Sequence, residues 1–87
     1  MGQMRLNNYL NYKTTLYRDV RGKIRYYKIK TYLTLFGDYL IVREYGAIKN
    51  ARPTRIIKKY FSHIEDVFLY INEIVANKKK RGYLYEI

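Results

Sequence analysis

The chain has 87 residues, of which 48% are hydrophobic, and 18 Lys and Arg against seven Asp and Glu give it a formal net charge of +11. This length supports one domain, and the hydrophobic content argues against wholesale disorder. No run approaches the ~18 apolar residues of a membrane span, and the N-terminus lacks the apolar core of a signal peptide. The sequence contains no cysteine, which excludes disulfides and thiolate chemistry. We expect a soluble, cytoplasmic protein.

The positive charge makes a polyanion the first partner to consider. Nucleic acid fits this charge, and the aromatic residues, 17% of the chain, offer rings that stack on bases. An anionic membrane surface is the second candidate, but the predicted helix carries Glu65, Asp66 and Glu73, which do not suit an interfacial helix. The remaining alternative is that the charge serves solubility alone.

The N-terminal third of the chain predicts a hairpin. Residues 1–12 fit a helical turn and a strand equally well, so we expect a loose segment there. Residues 13–20 favour a strand, Arg21-Gly22 supplies a turn, and residues 23–33 favour the return strand. Phe36-Gly37-Asp38 then interrupts the chain.

Two more strands are predicted after this break. Residues 39–45 favour a third strand, residues 46–53 form a loop with Gly, Asn and Pro, and residues 54–60 favour a fourth strand. The chain shows no internal repeat and no linker, so we expect one domain over residues 1–87.

Residues 62–81 carry the strongest local signal, that of a helix. Ser62-His63-Ile64-Glu65 has the pattern of a capping box. Apolar residues then recur at three- and four-residue steps and predict one stripe against the sheet: Ile64, Val67, Phe68, Ile71, Ile74 and Val75. Lys78-Lys79-Lys80-Arg81 suits the helix dipole, with phosphate contact as the alternative role, and Gly82 suits the C-terminal cap. Residues 83–86 are candidates for a short final strand.

Side-chain alternation sorts the predicted strands into faces. In the second strand it separates two sets: Tyr27, Ile29 and Leu33 on one face, and Tyr26, Lys28, Lys30 and Tyr32, which mix rings with cations, on the other.

In the third predicted strand, alternation places Leu40 and Val42 inward and Arg43 and Tyr45 outward. A guanidinium holds a phosphate by its planar fork while a neighbouring ring stacks on a sugar or base. The alternative is structural: Tyr45 packs across strands and Arg43 is a solvated charge.

A set of segments in this order resembles a known module: Arg25-Tyr26-Tyr27-Lys28-Ile29, the run Tyr39-Leu40-Ile41-Val42-Arg43-Glu44 with Tyr45-Gly46-Ala47-Ile48 after it, Phe61-Ser62, the helix, and Lys78-Lys79-Lys80-Arg81-Gly82-Tyr83. Together they resemble the WGR domain, named for a Trp-Gly-Arg tripeptide. That module lies beside the catalytic domain of poly(ADP-ribose) polymerases and occurs alone or in regulators in bacteria. The resemblance covers roughly residues 13–85. It implies an α+β fold in which one long helix packs on an antiparallel sheet of four or five strands, with the Tyr83 ring against the core.

The resemblance also implies a function, because the family's Trp stacks at the end or nick of a DNA duplex while basic residues hold the phosphates. Here Tyr45 stands in the place of the Trp, and Ala47 replaces the Arg. By resemblance, Tyr45 is the stacking group, Gly46 lets the backbone approach the ligand, and Arg43 matches a basic residue of the family.

Lys49 replaces a usual glycine of the family, and it lies with Arg52 and Arg55 in or beside the loop after the third strand. These three cations are candidates for the phosphate contacts that Ala47 does not make. With Tyr26 and Lys28 they complete the predicted site: Arg43, Tyr45, Gly46, Lys49, Arg52, Arg55, Tyr26 and Lys28. We predict a non-catalytic module that binds nucleic acid, foremost DNA.

No catalytic, metal or cofactor motif is visible in the sequence. His63 is the single histidine, the acidic residues are scattered, and no glycine-rich phosphate loop is present. We therefore expect no enzyme activity, no metal and no cofactor. Two alternatives stay open: a protein-interaction or regulatory module, for which tyrosine-rich surfaces are also typical, and a small basic ribonuclease-type toxin.

Overall fold

The structure of this protein, a computed structural model, describes residues 11–85. The predicted loose segment therefore lies almost entirely outside the described residues, as does residue 86 of the predicted final strand. Four strands form one antiparallel sheet in the order β1-β2-β3-β4: β1 Lys13–Val20, β2 Lys23–Leu33, β3 Tyr39–Ala47 and β4 Arg55–Phe61. Helix α1, Ile64–Lys80, follows. The predicted α+β fold is confirmed.

The hairpin of β1 and β2 closes by the predicted two-residue turn. Arg21 and Gly22 have positive φ angles of 55° and 83°, as a type I′ turn requires. The Gly22 N–H donates to Asp19 Oδ1 at 2.7 Å. This turn sets the register in which Leu16 faces Tyr27.

Strand β3 is two residues longer than predicted. Arg25 pairs with Ala47 and Tyr26 with Gly46, because β2 offers ladder partners beyond Tyr45. The β3–β4 loop accordingly spans residues 48–54, and β4 begins at Arg55.

Helix α1 covers one face of the sheet, and the core lies between them. The buried residues come from both layers: Leu16, Tyr27, Ile29 and Ile41 of the sheet, and Val67, Ile71 and Ile74 of the helix. The other three residues of the predicted stripe, Ile64, Phe68 and Val75, pack against this cluster, which confirms the helical pattern. Within residues 11–85, no helix has the length and apolar character needed to cross a membrane.

The helix ends agree with the sequence pattern only at the C-terminus. The capping box is wrong: the N-cap is His63 rather than Ser62, so Ser62 and Glu65 do not occupy the N-cap and N3 positions, and no side chain of the described residues caps this end of the helix. At the other end, the Gly82 N–H donates to the Lys79 carbonyl and the Tyr83 N–H to the Lys78 carbonyl, both at 3.0 Å. This is a Schellman motif, with Gly82 at φ 94°.

The segment after the helix returns to the sheet. The Tyr83 ring is 7% exposed and belongs to the core, as expected. Leu84 forms an isolated bridge with Tyr17 through two backbone hydrogen bonds of 2.7 and 2.8 Å. Among the described residues, the predicted final strand is reduced to this bridge.

Candidate nucleic-acid interface

The sheet has a face covered by α1 and a second face that we call the open face, because no described helix or strand lies over it. Tyr27 and Ile29 point to the helix, so alternation and register place every second residue on the opposite side. The open face thus carries Lys13, Thr15, Tyr17, Asp19, Ile24, Tyr26, Lys28, Lys30, Tyr32, Leu40, Val42, Glu44, Gly46, Ile56, Lys58 and Tyr60.

The predicted orientation of Arg43 and Tyr45 is wrong. Tyr45 pairs with Tyr27 and Arg43 with Ile29, so both lie on the covered face. Ile41, which is 1% exposed, is the β3 residue that enters the core there. The physical reason is that Leu40, Ile41 and Val42 are all apolar, so alternation along β3 did not define which set faces the helix.

Tyr45 is a packing residue in this arrangement. Its ring stacks on that of Tyr27, with centroids 5.4 Å apart and planes 5° from parallel. It is half-buried against the core cluster. This is the structural alternative for Tyr45, in which cross-strand ring packing stabilises the sheet.

Arg43 is also held on the covered face. Its Nη1 donates to the Tyr27 hydroxyl at 2.9 Å, and its guanidinium carbon lies 5.4 Å from the centroid of the Tyr70 ring. Its Nε is buried without a hydrogen-bond partner among the described residues. Burial raises the pKa of the Tyr27 hydroxyl, and the bond from Arg43 partly offsets that rise. These contacts make Arg43 part of the core edge.

Gly46 permits a close backbone contact within the protein. A Cβ at this position would lie 2.8 Å from the backbone N of Thr54 and 3.4 Å from the Cα of Pro53. The Thr54 N–H donates to the Tyr45 carbonyl at 2.8 Å. Because Gly46 is an open-face position opposite Tyr26, this contact brings the end of the β3–β4 loop onto that face.

The open face beside this loop combines rings and cations. Tyr26 lies opposite Tyr17 on β1, and the Lys28 ammonium is 6.0 Å from the Tyr26 ring centroid. A hollow of about 180 Å³ is lined by Tyr17, Tyr26, Lys28, Thr15 and Ile48. Tyr17 was missed from the sequence, although alternation in β1 places it in phase with Thr15 and Lys13.

Lys49 and Arg52 are exposed in the loop that borders this hollow. We call Tyr17, Tyr26, Lys28, Lys49 and Arg52 the loop-side surface. Four of the eight predicted site residues belong to it, and Gly46 lies beneath it. The structure separates the other three from this set, since Arg43, Tyr45 and Arg55 are in phase on the covered face.

The cations of the loop-side surface are available for a ligand. Within the described part of the chain, the ion pair formed is that of Lys30 Nζ with Glu44 Oε2, at 3.5 Å. Asp19, the other open-face carboxylate, accepts a bond from the Gly22 N–H. Lys49 and Arg52 face solvent, and Lys28, which lies opposite Glu44 in the β2–β3 register, forms no ion pair with a carboxylate of residues 11–85.

The cluster at the end of the helix behaves differently. The Lys78 ammonium lies 4.4 Å from the Tyr27 ring centroid and 5.7 Å from that of Tyr83. Burial lowers the pKa of Lys78, and the charges of Arg81 and Arg43 lower it further. Lys78 thus packs against the core edge, in addition to suiting the helix dipole.

Among residues 11–85, no group of three or more His, Cys, Asp or Glu is arranged to hold a metal ion. Comparison with protein-family models, with curated proteins and with solved structures found no match for this chain. The resemblance to the WGR domain, and the function that it implies, remain predictions.

Proposed function

We propose that this domain binds nucleic acid without catalysis, foremost DNA at ends or nicks, through the loop-side surface. One observation carries the proposal: Tyr17, Tyr26 and Lys28 lie together on the open face, beside a loop that presents Lys49 and Arg52. Rings that stack on bases and cations that hold phosphates are the two components of sequence-tolerant nucleic-acid binding.

The arrangement favours bases that are already exposed. A ring on a flat sheet face stacks only on a base that is unpaired or that ends a duplex, whereas the phosphates are accessible everywhere. Ends, nicks and single strands offer both features at once. Ring stacking and phosphate contacts tolerate any base, so we expect little base specificity.

The remaining predicted residues have supporting roles in this proposal. Tyr45 and Arg43 hold β3 against the core, and Gly46 lets the loop approach the sheet. Arg55 is exposed at the start of β4 and adds to the positive field at this end of the sheet.

The test is a fluorescence-anisotropy titration of the protein with blunt duplex DNA, nicked duplex DNA, single-stranded DNA and single-stranded RNA at two salt concentrations. We expect micromolar or tighter binding that prefers nicked or single-stranded ligands and weakens with salt, by a log–log slope of about −0.9 per duplex phosphate contacted. No binding near physiological salt contradicts the proposal, and equal affinity for all four ligands leaves only a polycation.

Matched variants locate the surface. Tyr26→Leu should weaken binding about tenfold, because base stacking contributes roughly 1–3 kcal/mol. Lys28→Gln should reduce the magnitude of the log–log salt slope by about 1, because one phosphate contact is lost. Tyr60→Leu and Lys58→Gln are the controls, since they make the same changes on β4, on the far side of the same face. If the two control variants weaken DNA binding as much as Tyr26→Leu and Lys28→Gln do, the assigned position of the surface is wrong.

A protein partner is the second candidate, and one observation favours it. Leu35 and Phe36, at the tip of the β2–β3 turn, are 101% and 94% exposed. The turn is ordered by bonds from the Thr34 N–H to the Asp38 carbonyl at 2.9 Å and from the Gly37 N–H to the Thr34 carbonyl at 3.2 Å. Exposed apolar side chains on an ordered turn suit a protein pocket, and such binding would depend little on salt.

A further inference from the structure

A groove of about 470 Å³ lies next to the loop-side surface, where the β1–β2 turn meets the end of β3. Its large apolar lining residues are Val20, Ile24 and Ile48, which we call its floor, and its cationic lining residues are Lys23, Arg25 and Lys49, which we call its rim. The Ile48 N–H donates to the Ile24 carbonyl at 2.9 Å, so the end of the strand ladder holds the floor in place. Its size falls within the range of small-ligand pockets, about 300–1,000 Å³.

The groove combines exposed apolar side chains with cations that have no carboxylate partner among the described residues. Val20 and Ile48 are 38% and 54% exposed, so apolar surface faces water on a strongly basic part of the molecule. No carboxylate of residues 11–85 pairs with Lys23, Arg25 or Lys49. A ligand that matches the groove is therefore apolar in its body and anionic on at least one side.

The groove is continuous with the proposed stacking site. Ile48 lines both the groove and the hollow of Tyr17 and Tyr26. Lys49 follows Ile48 directly and lies on the rim of the groove. The groove and the hollow therefore adjoin at Ile48.

We propose that this groove takes the base of one unstacked nucleotide, adjacent to the nucleotide that stacks on Tyr26. The apolar floor receives the flat base, and the cations of the rim hold the phosphates on either side of it. The inference rests on the proposed function, and it adds to it a preference for ends with unpaired nucleotides over blunt ends. Charge complementarity selects this occupant, because a nucleotide within a strand joins a flat base to phosphates, and the groove is lined by three apolar side chains and three cations.

The test uses a duplex with an overhang of two thymidines, the same duplex with an abasic residue at either overhang position, and the blunt duplex. Anisotropy titrations should show about tenfold weaker binding for each abasic overhang than for the intact one, since each base then loses its own site. Equal affinity for the intact and both abasic overhangs overturns the groove proposal, while salt-sensitive binding to all of them would leave the proposed function standing. No binding to any duplex would overturn both.

Variants assign the two positions. The double variant V20S/I24S should bind the duplex with an abasic residue at one overhang position as tightly as it binds the intact overhang. Tyr26→Leu should show the same equality for the other overhang position. Ile56→Ser, an exposed isoleucine on the far edge of the open face, is the control and should discriminate as the parent does. If V20S/I24S still discriminates at both positions, the groove is not the site.

A measurement on the unchanged protein guards against a folding defect in the double variant. Methyl NMR signals of Val20, Ile24 and Ile48 should shift when the intact overhang is added and shift much less with one of the two abasic overhangs. Dodecanoate and an acidic peptide serve as competitors. Displacement of the overhang by either at a concentration similar to that of the DNA would identify a different occupant and overturn the proposal.

Discussion

At the scale of single residues, Tyr26 and Tyr45 show how the phase of a strand decides a role. They lie on neighbouring strands, one pair apart in register, yet Tyr45 stacks on Tyr27 under the helix while Tyr26 lies on the open face. The two rings have the same chemistry. Their different surroundings make one a packing residue and the other a candidate for binding.

Replacing Tyr45 with Ala should lower the free energy of unfolding by about 2–3 kcal/mol, because a half-buried ring and its stacked contact are lost. Tyr26→Ala should cost less than about 1 kcal/mol, the range of a cross-strand pair on an open face. Urea unfolding followed by far-UV circular dichroism measures both. A Tyr45→Ala protein as stable as the parent, with weaker DNA binding, would restore Tyr45 as the stacking residue.

At the scale of elements, the β3–β4 loop is positioned by a contact between two backbones. Gly46 lies in β3, and residues Pro53 and Thr54 approach it so closely that no side chain fits between them. The end of the loop that carries Lys49 and Arg52 is thereby tied to the open face. A glycine that the resemblance assigns to ligand approach has a sufficient explanation within the fold.

Gly46→Ala should displace the loop and destabilise the protein by about 1–3 kcal/mol, because the new methyl group would lie against the Thr54 backbone. DNA affinity should fall as well, since Lys49 and Arg52 move with the loop. Thermal melting and anisotropy are the measurements. Ala51→Ser, which also adds one atom but at an exposed loop position, is the control and should change stability by less than about 0.5 kcal/mol. An unchanged Gly46→Ala protein would contradict this account of the loop.

At the scale of the whole molecule, charge is distributed unevenly. Lys23, Arg25, Lys49, Arg52 and Arg55 lie at the end of the sheet formed by the β1–β2 turn and the β3–β4 loop. The opposite end holds acidic residues at the start of α1 and in the β2–β3 turn, among them Asp38, Glu65 and Asp66. This polarity orients a polyanion toward the loop-side surface and its groove.

Salt should therefore have opposite effects on the free protein and on its complex. Raising NaCl from about 20 mM to about 200 mM should raise the melting temperature of the free protein by a few degrees, because screening weakens repulsion among its cations. The same change should weaken DNA binding. The double variant K49Q/R52Q should show smaller effects of both kinds. A melting temperature that falls with NaCl would mean that attractive surface pairs outweigh the repulsion.

Local signals in the sequence were sufficient for the elements. The I′ turn at Arg21-Gly22, the apolar stripe of α1 and the cap at Gly82 depend on neighbours within a few residues, and the structure has all three. The capping box failed because the helix begins one residue later than the pattern places it, with His63 and not Ser62 as the N-cap. For the candidate site, alternation in β2 grouped Tyr26 with Lys28, and both lie on the open face.

The sequence by itself determined that the protein is a small basic domain of one sheet and one helix, because periodicity and turn chemistry act within short stretches of chain. Only the tertiary structure decided which face of β3 the helix covers. Leu40, Ile41 and Val42 are apolar in succession, so the phase of β3 comes from its pairing with Tyr27 and Ile29 of β2. That pairing placed Tyr45 and Arg43 beneath the helix. The approach of Thr54, in the β3–β4 loop, to Gly46 of β3 tied the loop that carries Lys49 and Arg52 to the open face.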